Sequence, residues 1–116
     1  MIRRKSPSSR LRHRLSLQQE IHTADTQGGF TRSWQPIADL WAEIMPMHSY
    51  ERGREPLVGG QLQATITHKI TLRYRDGITT GQRLVFDGRA FNIHSVIVPN
   101  EAKQLIEIFA EEGGAG

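Results

Sequence analysis

The 116 residues fit one domain, and a hydrophobic content of 37% allows only a thin core, which favours assembly with other copies. The absence of cysteine excludes disulfides, thiolate metal sites and cysteine nucleophiles. No apolar run reaches the roughly 18 residues of a membrane span, and the basic N-terminus lacks the apolar segment of a signal peptide. We therefore expect a protein that is cytoplasmic at synthesis and makes no membrane contact.

The net charge of +3 is unevenly distributed along the chain. Residues 1–14 contain no acid and six basic residues, namely Arg3, Arg4, Lys5, Arg10, Arg12 and Arg14. This segment has no apolar periodicity, so it is predicted to be a flexible basic arm. Such an arm suits non-specific contact with nucleic acid phosphates or docking on an acidic protein surface, and the sequence leaves both readings open.

Two strands are predicted in the first half of the chain. Apolar and polar residues alternate over residues 15–22, and a glycine-rich turn follows. A second alternation covers residues 40–45 and ends at a proline, with Trp34 and Trp41 expected to be large packing anchors. A short helical turn over residues 37–41 is the weaker alternative.

The clearest pattern is QLQATITHKITLRYRD, residues 61–76. Six of seven alternate positions are apolar or aromatic, and the positions between them are polar, which predicts one long antiparallel strand with one apolar face. The polar face carries threonines where a nucleic-acid sheet would carry aromatic residues, so base stacking is disfavoured. We expect this face to contact a subunit or another partner through Lys69, Thr71, Arg73 and Arg75.

The segment before this strand, residues 48–60, has no regular period and contains three glycines and a proline. A segment of this length between strands is usually functional or disordered. It is predicted to be a mobile projecting loop.

The second half of the chain reads as a series of short strands. The turn pairs at residues 76–77 and 87–88 are both Asp-Gly, and the second, flanked by apolar alternation, is a strong hairpin signal. A last strand over residues 104–109 precedes a flexible tail, residues 111–116. The sum is an all-β single domain over residues 15–110, a small barrel or sandwich of about six antiparallel strands.

No catalytic or metal-binding constellation is recognisable. The five histidines lack metal-ligand spacing, and His68 is expected to be a satisfied rim residue. Asp76 and Asp87 are explained by their turns, and no glycine pattern indicates a nucleotide-phosphate loop. We expect no enzyme, no metal and no cofactor.

The order of three segments resembles one known family. LSLQ at residues 15–18 is followed by ITLRY at residues 70–74 and by RLVFDGRAFNI at residues 83–93. With this order and spacing, residues 14–110 resemble the head-tail joining proteins of tailed bacteriophages, also called head closure or stopper proteins, and their relatives in prophages and gene transfer agents.

The resemblance implies a small β-barrel that forms a ring between the portal-adaptor and the tail terminator. The ring would close the DNA channel after packaging and dock the tail, so the protein would reside at the head-tail junction of the virion or phage-like particle. Contact with packaged DNA would be non-specific. The family's channel loop would correspond to Ser49, Tyr50, Glu51, Arg52, Gly53, Arg54, Glu55, Pro56, Leu57, Val58, Gly59 and Gly60.

A function from another class remains open beside this resemblance. The chain could be a monomeric OB-like or SH3-like nucleic-acid-binding module that uses the basic arm. An enzyme that uses Asp76, Asp87 or a histidine is the third and least favoured reading.

Overall fold

The computed structural model describes residues 10–47, 57–58, 61–62 and 66–113 and is all-β within them. Six antiparallel strands close into a barrel in the order β1-β2-β5-β8-β7-β6, and β3 and β4 form a separate pair. The predicted fold class is confirmed. The strands are β1 His13–Ala24, β2 Phe30–Pro46, β3 Leu57–Val58, β4 Gln61–Leu62, β5 His68–Arg73, β6 Gln82–Phe86, β7 Arg89–Ile97 and β8 Leu105–Gly113.

The core fills the barrel interior with the alternate residues that the period-two patterns predict. Phe91 is its only aromatic ring among the largest fully buried side chains of the described residues. Because each strand contributes two or three inward positions, the core is thin, as the composition indicates. The other large members are Leu15, Leu17, Ile70, Leu72, Leu84, Ile106 and Ile108.

The prediction of one long strand over residues 61–76 is wrong. Within this range the structure has the six-residue β5, whereas β4 pairs back onto β3. The physical reason is that the neighbouring strands pair with β5 over a short length. β2 pairs with β5 only through Ala42–Pro46, and β8 pairs with β5 only through Leu105–Ala110. The alternation itself is correct where β5 exists, with His68, Ile70 and Leu72 buried.

The first two strands are much longer than the barrel needs. β1 pairs with β2 over the whole length of β1, yet β6 pairs with β1 only at residues 16–19 and β5 pairs with β2 only at residues 42–46. The distal parts therefore extend as a two-stranded ribbon, residues 20–34, about 17 Å beyond the last β1–β6 pair. Its turn is closed by Asp25, whose Oδ1 accepts hydrogen bonds from the backbone of Gln27 and Gly29, both at 2.8 Å.

A β-bulge lies where the ribbon leaves the barrel. Leu17 pairs with Ala38 but Gln18 pairs with Pro36, so Ile37 is the extra residue on β2. Pro36 lacks a backbone donor, and it is tolerated because no described strand pairs with the other edge of β2 at this point.

The predicted hairpin at Asp87 and Gly88 is confirmed. Both residues have positive φ, 53° and 76°, as the tight turn between β6 and β7 requires. The return strand β7 is continuous to Ile97, with a bulge between Ile93 and Ser95.

Both ends of the paired body extend past the predicted bounds of the domain. β1 begins at His13, and Leu11 before it is 7% exposed, so residues 11–14 of the predicted arm are attached to the barrel. β8 continues to Gly113, which places Glu111 and Glu112 in a strand opposite β7.

Candidate functional site

One end of the barrel carries most of the segments that the sequence singles out. β1 begins there, β2 ends there at Pro46, β5 begins there at His68 and β8 ends there at Gly113. The basic N-terminal segment, residues 48–65 and the C-terminus are therefore all attached to the same end, which we call the loop end. The ribbon lies at the opposite end.

A polar cluster holds the loop end together. Arg89 binds Glu112 through two hydrogen bonds of 3.0 Å, from Nε and Nη2. Nε2 of His68 lies 3.9 Å from Oε1 of Glu112, and its Nδ1 lies 2.8 Å from the hydroxyl of Thr67. The hydrogen bond from Arg89 lowers the pKa of Glu112. The cluster joins β5, β7 and β8, and the satisfied rim position predicted for His68 agrees with it.

The chain also closes on itself where it leaves and re-enters the barrel. The backbone N–H of Met47 donates to the carbonyl of Thr67 at 2.9 Å, and that of Thr67 donates to Ala110 at 2.9 Å. Residues 47 and 67 are thus held side by side, so the intervening segment starts and finishes at one point on the barrel.

The predicted loop and arm residues are only partly described. Leu57 and Val58 form β3, whereas Ser49–Pro56, Gly59 and Gly60 lie outside the described residues, as do Arg3, Arg4 and Lys5. Arg10 and Arg12 precede β1 and are exposed at the loop end, and Arg14 lies within β1.

The residues predicted as a subunit contact lie on or just beyond β5. Lys69 and Thr71 point away from the core, and Lys69 Nζ is 3.8 Å from a carboxylate oxygen of Glu107. Thr71 is buried at 6% exposure between Glu43 on β2 and Glu107 on β8, its partners in register. Arg73 and Arg75 are more open to solvent.

Sequence reasoning missed an exposed apolar feature that runs along the outward side of β2 and holds four of the six exposed large hydrophobic side chains among the described residues. The expectation that both tryptophans are packing anchors is wrong for Trp41, which is 51% exposed, and Trp34 is only half-buried. The signal was present, since the residues alternating with buried Ala42 must point outward. We call this set the outer stripe: Phe30, Trp34, Ile37, Trp41 and Met45.

Arginines flank the outer stripe at both tryptophans. Arg83 and Arg32 both lie over the ring of Trp34, with their guanidinium carbons 4.2 and 5.3 Å from its centroid. Burial and the nearby Arg32 charge lower the pKa of Arg83. Arg14 covers Trp41 at 5.5 Å. These contacts are typical of cation–π pairs.

At the other end of the stripe an open cavity of about 170 Å³ borders β2, β5 and β8. Met45, Met47, Lys69 and Phe109 line it. Its flexible, mostly apolar walls suit a protein side chain better than a polar metabolite.

The described residues offer no centre for metal binding. Among them no group of three or more His, Cys, Asp or Glu side chains could hold a metal ion. Asp76 accepts a 2.6 Å hydrogen bond from the Tyr74 hydroxyl, and this bond raises the tyrosine pKa. Asp87 has a positive φ in the turn between β6 and β7. No helix within the described ranges is long and apolar enough to cross a membrane.

Comparison with known proteins identifies a family that matches this chain. The family model described as phage head completion protein matches residues 7–113. A search of curated protein sequences finds no match. The solution structure of protein SF1141 from Shigella flexneri 2a is similar with a TM-score of 0.71 and 28% identity, covering 96% of this chain and 100% of that one.

A second solved structure shares the fold. It is a chain from the virion of a native gene transfer agent particle, with a TM-score of 0.64 and 24% identity. The similarity covers 91% of this chain and 98% of that chain. The similarity therefore shows that the two chains share a fold.

Proposed function

The chain belongs to the phage head completion protein family, and from this premise we propose that it is a head closure protein at the head-tail junction of a phage-type particle. The family consists of structural proteins rather than enzymes. One structural observation supports the proposal most strongly. The basic N-terminal segment and the ends of the segment containing residues 49–60 share one end of the barrel.

In the proposed assembly, copies form a ring whose loop ends face the DNA channel. Residues 49–60 of each copy project into the channel and retain the packaged DNA. The basic arm lies beside them and neutralises DNA phosphates without sequence preference. Arg10 and Arg12, which the structure describes at the root of the arm, belong to this surface.

The two sides of the ring would meet different neighbours, a portal-adaptor on the head side and a tail terminator on the tail side. The outward face of β5, with Lys69, Thr71, Arg73 and Arg75, would contribute to a subunit or partner contact. The protein would be made in the cytoplasm and then become part of the virion. No cofactor is required for these roles.

Removing the protein from its particle tests this role. Particles assembled without it should have filled heads that lack tails and lose DNA, and supplying the chain in trans should restore both. Tailed, infectious or transducing particles formed without the chain would contradict the proposal.

A second test addresses the loop alone. Deletion of residues 54–60 should leave the barrel intact, because no described barrel pairing involves them, while filled heads leak DNA. A circular dichroism spectrum and thermal midpoint matching the wild type provide the control for folding. Unchanged DNA retention would remove the loop from the gating role.

The alternative is a monomeric nucleic-acid-binding module, and the observation that favours it is the exposed pair Arg10 and Arg12 at the loop end. Salt-titrated DNA binding by the full chain and by a chain lacking residues 1–9 distinguishes the two. The truncation must stop before Leu11, since this residue is buried against the barrel. Tight binding by the truncated monomer would favour the alternative.

A further inference from the structure

The outer stripe of β2 is divided into two parts of unlike charge. Its ribbon half, with Phe30 and Trp34, is flanked by Arg32 and Arg83. Its barrel half, with Trp41 and Met45, carries two acids, Asp39 and Glu43, which alternate with the apolar residues on the outward side of β2. Asp39 lies 4.0 Å from Arg14, which also covers Trp41, so the charge left on this half is that of Glu43.

Arg83 is the unneutralised charge of the ribbon half. Its Nε donates a 2.8 Å hydrogen bond to the side-chain oxygen of Gln18, and its guanidinium stacks on Trp34. No acid in the described part of the chain forms an ion pair with it, whereas Arg32 is paired with Glu20 at 3.1 Å. The fixed guanidinium of Arg83 is therefore available to pair with an acid on another molecule.

Glu43 is the corresponding charge of the barrel half. It lies in register with Thr71, and the nearby Lys69 is paired with Glu107 instead. Within the described ranges Glu43 forms no ion pair. Its apolar neighbours on the same face, Trp41 and Met45, are 51% and 41% exposed.

We propose that the ribbon half of one copy docks on the barrel half of a second copy, with Arg83 of the first facing Glu43 of the second. The inference rests on the proposed function and specifies the contact that builds its assembly. Because two different surfaces of each chain meet, the contact is heterologous and repeats from copy to copy, as a ring requires. It buries exposed aromatic and methionine side chains, which are enriched at protein interfaces.

A second copy fits the stripe better than nucleic acid does. A DNA-binding surface neutralises successive phosphates with bases along its length. Here Glu43 would repel phosphates on the barrel half of the stripe, and the positive charge of Arg14 on that half is already paired with Asp39. Another copy, in contrast, supplies an apolar strip with the opposite charge at each half.

Charge reversal tests the contact in the full chain. Arg83→Glu and Glu43→Arg should each weaken self-association by about ten-fold or more, because each places like charges opposite one another. The double variant should recover it. A one-to-one mixture of the two single variants should recover it too, since each ribbon then meets an oppositely charged barrel half. Analytical ultracentrifugation at low salt measures all four samples, and circular dichroism checks that each variant folds.

Glu101→Arg and Lys103→Glu are matched reversals in the turn before β8 and should leave association unchanged. Single reversals without effect, or a double variant and mixture no better than the singles, would overturn the contact. A wild-type chain that stays monomeric at every concentration would overturn it as well. If that monomer still enters particles, the head closure role stands while the self-contact fails. Reduced DNA binding by Arg83→Glu with unchanged association would instead identify a nucleic-acid surface.

Discussion

Arg83 stacks on Trp34, with its guanidinium carbon 4.2 Å from the centroid of the indole ring. The two residues belong to β6 of the barrel and to the ribbon, respectively, and Arg83 also binds Gln18 at the ribbon base. The contact therefore braces an extension that has no other described strand beside it. A fixed ribbon angle would let the same contact recur between copies.

Replacing Arg83 by alanine should loosen the ribbon without unfolding the barrel. We expect the free energy of unfolding to fall by about 1 kcal/mol, the size of one exposed cation–π pair and a hydrogen bond. Amide hydrogen exchange should accelerate over residues 20–34. Arg32→Ala is the matched control, because Arg32 touches the same ring but lies within the ribbon. Equal protection of the ribbon in wild type and Arg83→Ala would contradict the brace.

Substitutions at two phenylalanines distinguish an effect on the stability of the fold from an effect on self-association. Phe91 is fully buried, so Phe91→Ala should cost about 3–5 kcal/mol in chemical denaturation. Phe30 is 74% exposed, so Phe30→Ala should change the free energy of unfolding by less than about 0.5 kcal/mol while weakening self-association. A large stability loss for Phe30→Ala would show that this ring packs within its own chain.

The Asp-Gly turn between β6 and β7 gives a test of backbone conformation. An added Cβ at Gly88 would meet no atom within 4 Å, so the effect of Gly88→Ala comes from its φ of 76° alone. We expect a loss of about 1 kcal/mol in thermal or urea unfolding. Asp87→Asn is the control, since asparagine tolerates positive φ, and it should be nearly neutral. Equal effects of the two changes would remove the conformational explanation.

The sequence predicted the features of the fold that depend on local residue patterns, and it did not predict those that depend on contacts with other strands. Period two and Asp-Gly turns are local, so the strands, the hairpin at residues 87–88 and the buried face of β5 followed from them. The end of β5 did not, because it depends on which partner strands are available. Trp41 was assigned to packing because residue size does not say which face of β2 meets the core.

The candidate site was predictable to a smaller extent. The basic arm, the loop and the polar face of residues 69–75 are visible in the sequence. Their relative positions are not, since only strand order brings His13, Met47 and Gly113 to one end of the barrel. Trp41 and Met45 of the outer stripe follow from the alternation with Ala42, whereas Phe30 and Trp34 join the same side only through the bulge on β2, which leaves no clear mark in the residue pattern.

The ion pair at the loop end predicts an acid-dependent loss of stability. Glu112 has its pKa lowered by Arg89, so its carboxylate stabilises the fold above the ordinary value of 4.5 and loses this effect as pH falls through the lower folded value. Wild type should therefore exceed Glu112→Gln in stability near neutral pH, by less than about 1 kcal/mol because the pair is partly exposed.

Urea unfolding from neutral pH to below pH 4.5 measures this difference, which should shrink on the acid side. Arg89→Gln should show the same trend, since it removes the other half of the pair. A difference between wild type and Glu112→Gln that stays constant with pH would exclude the ion pair as its cause.

The most direct test of the account is cryo-electron microscopy of the phage-type particle that contains this chain. We predict a ring of copies at the head-tail vertex, with residues 49–60 at the channel and Arg83 of each copy opposite Glu43 of the next. A chain located elsewhere in the particle, or a vertex without a ring of this barrel, would contradict it.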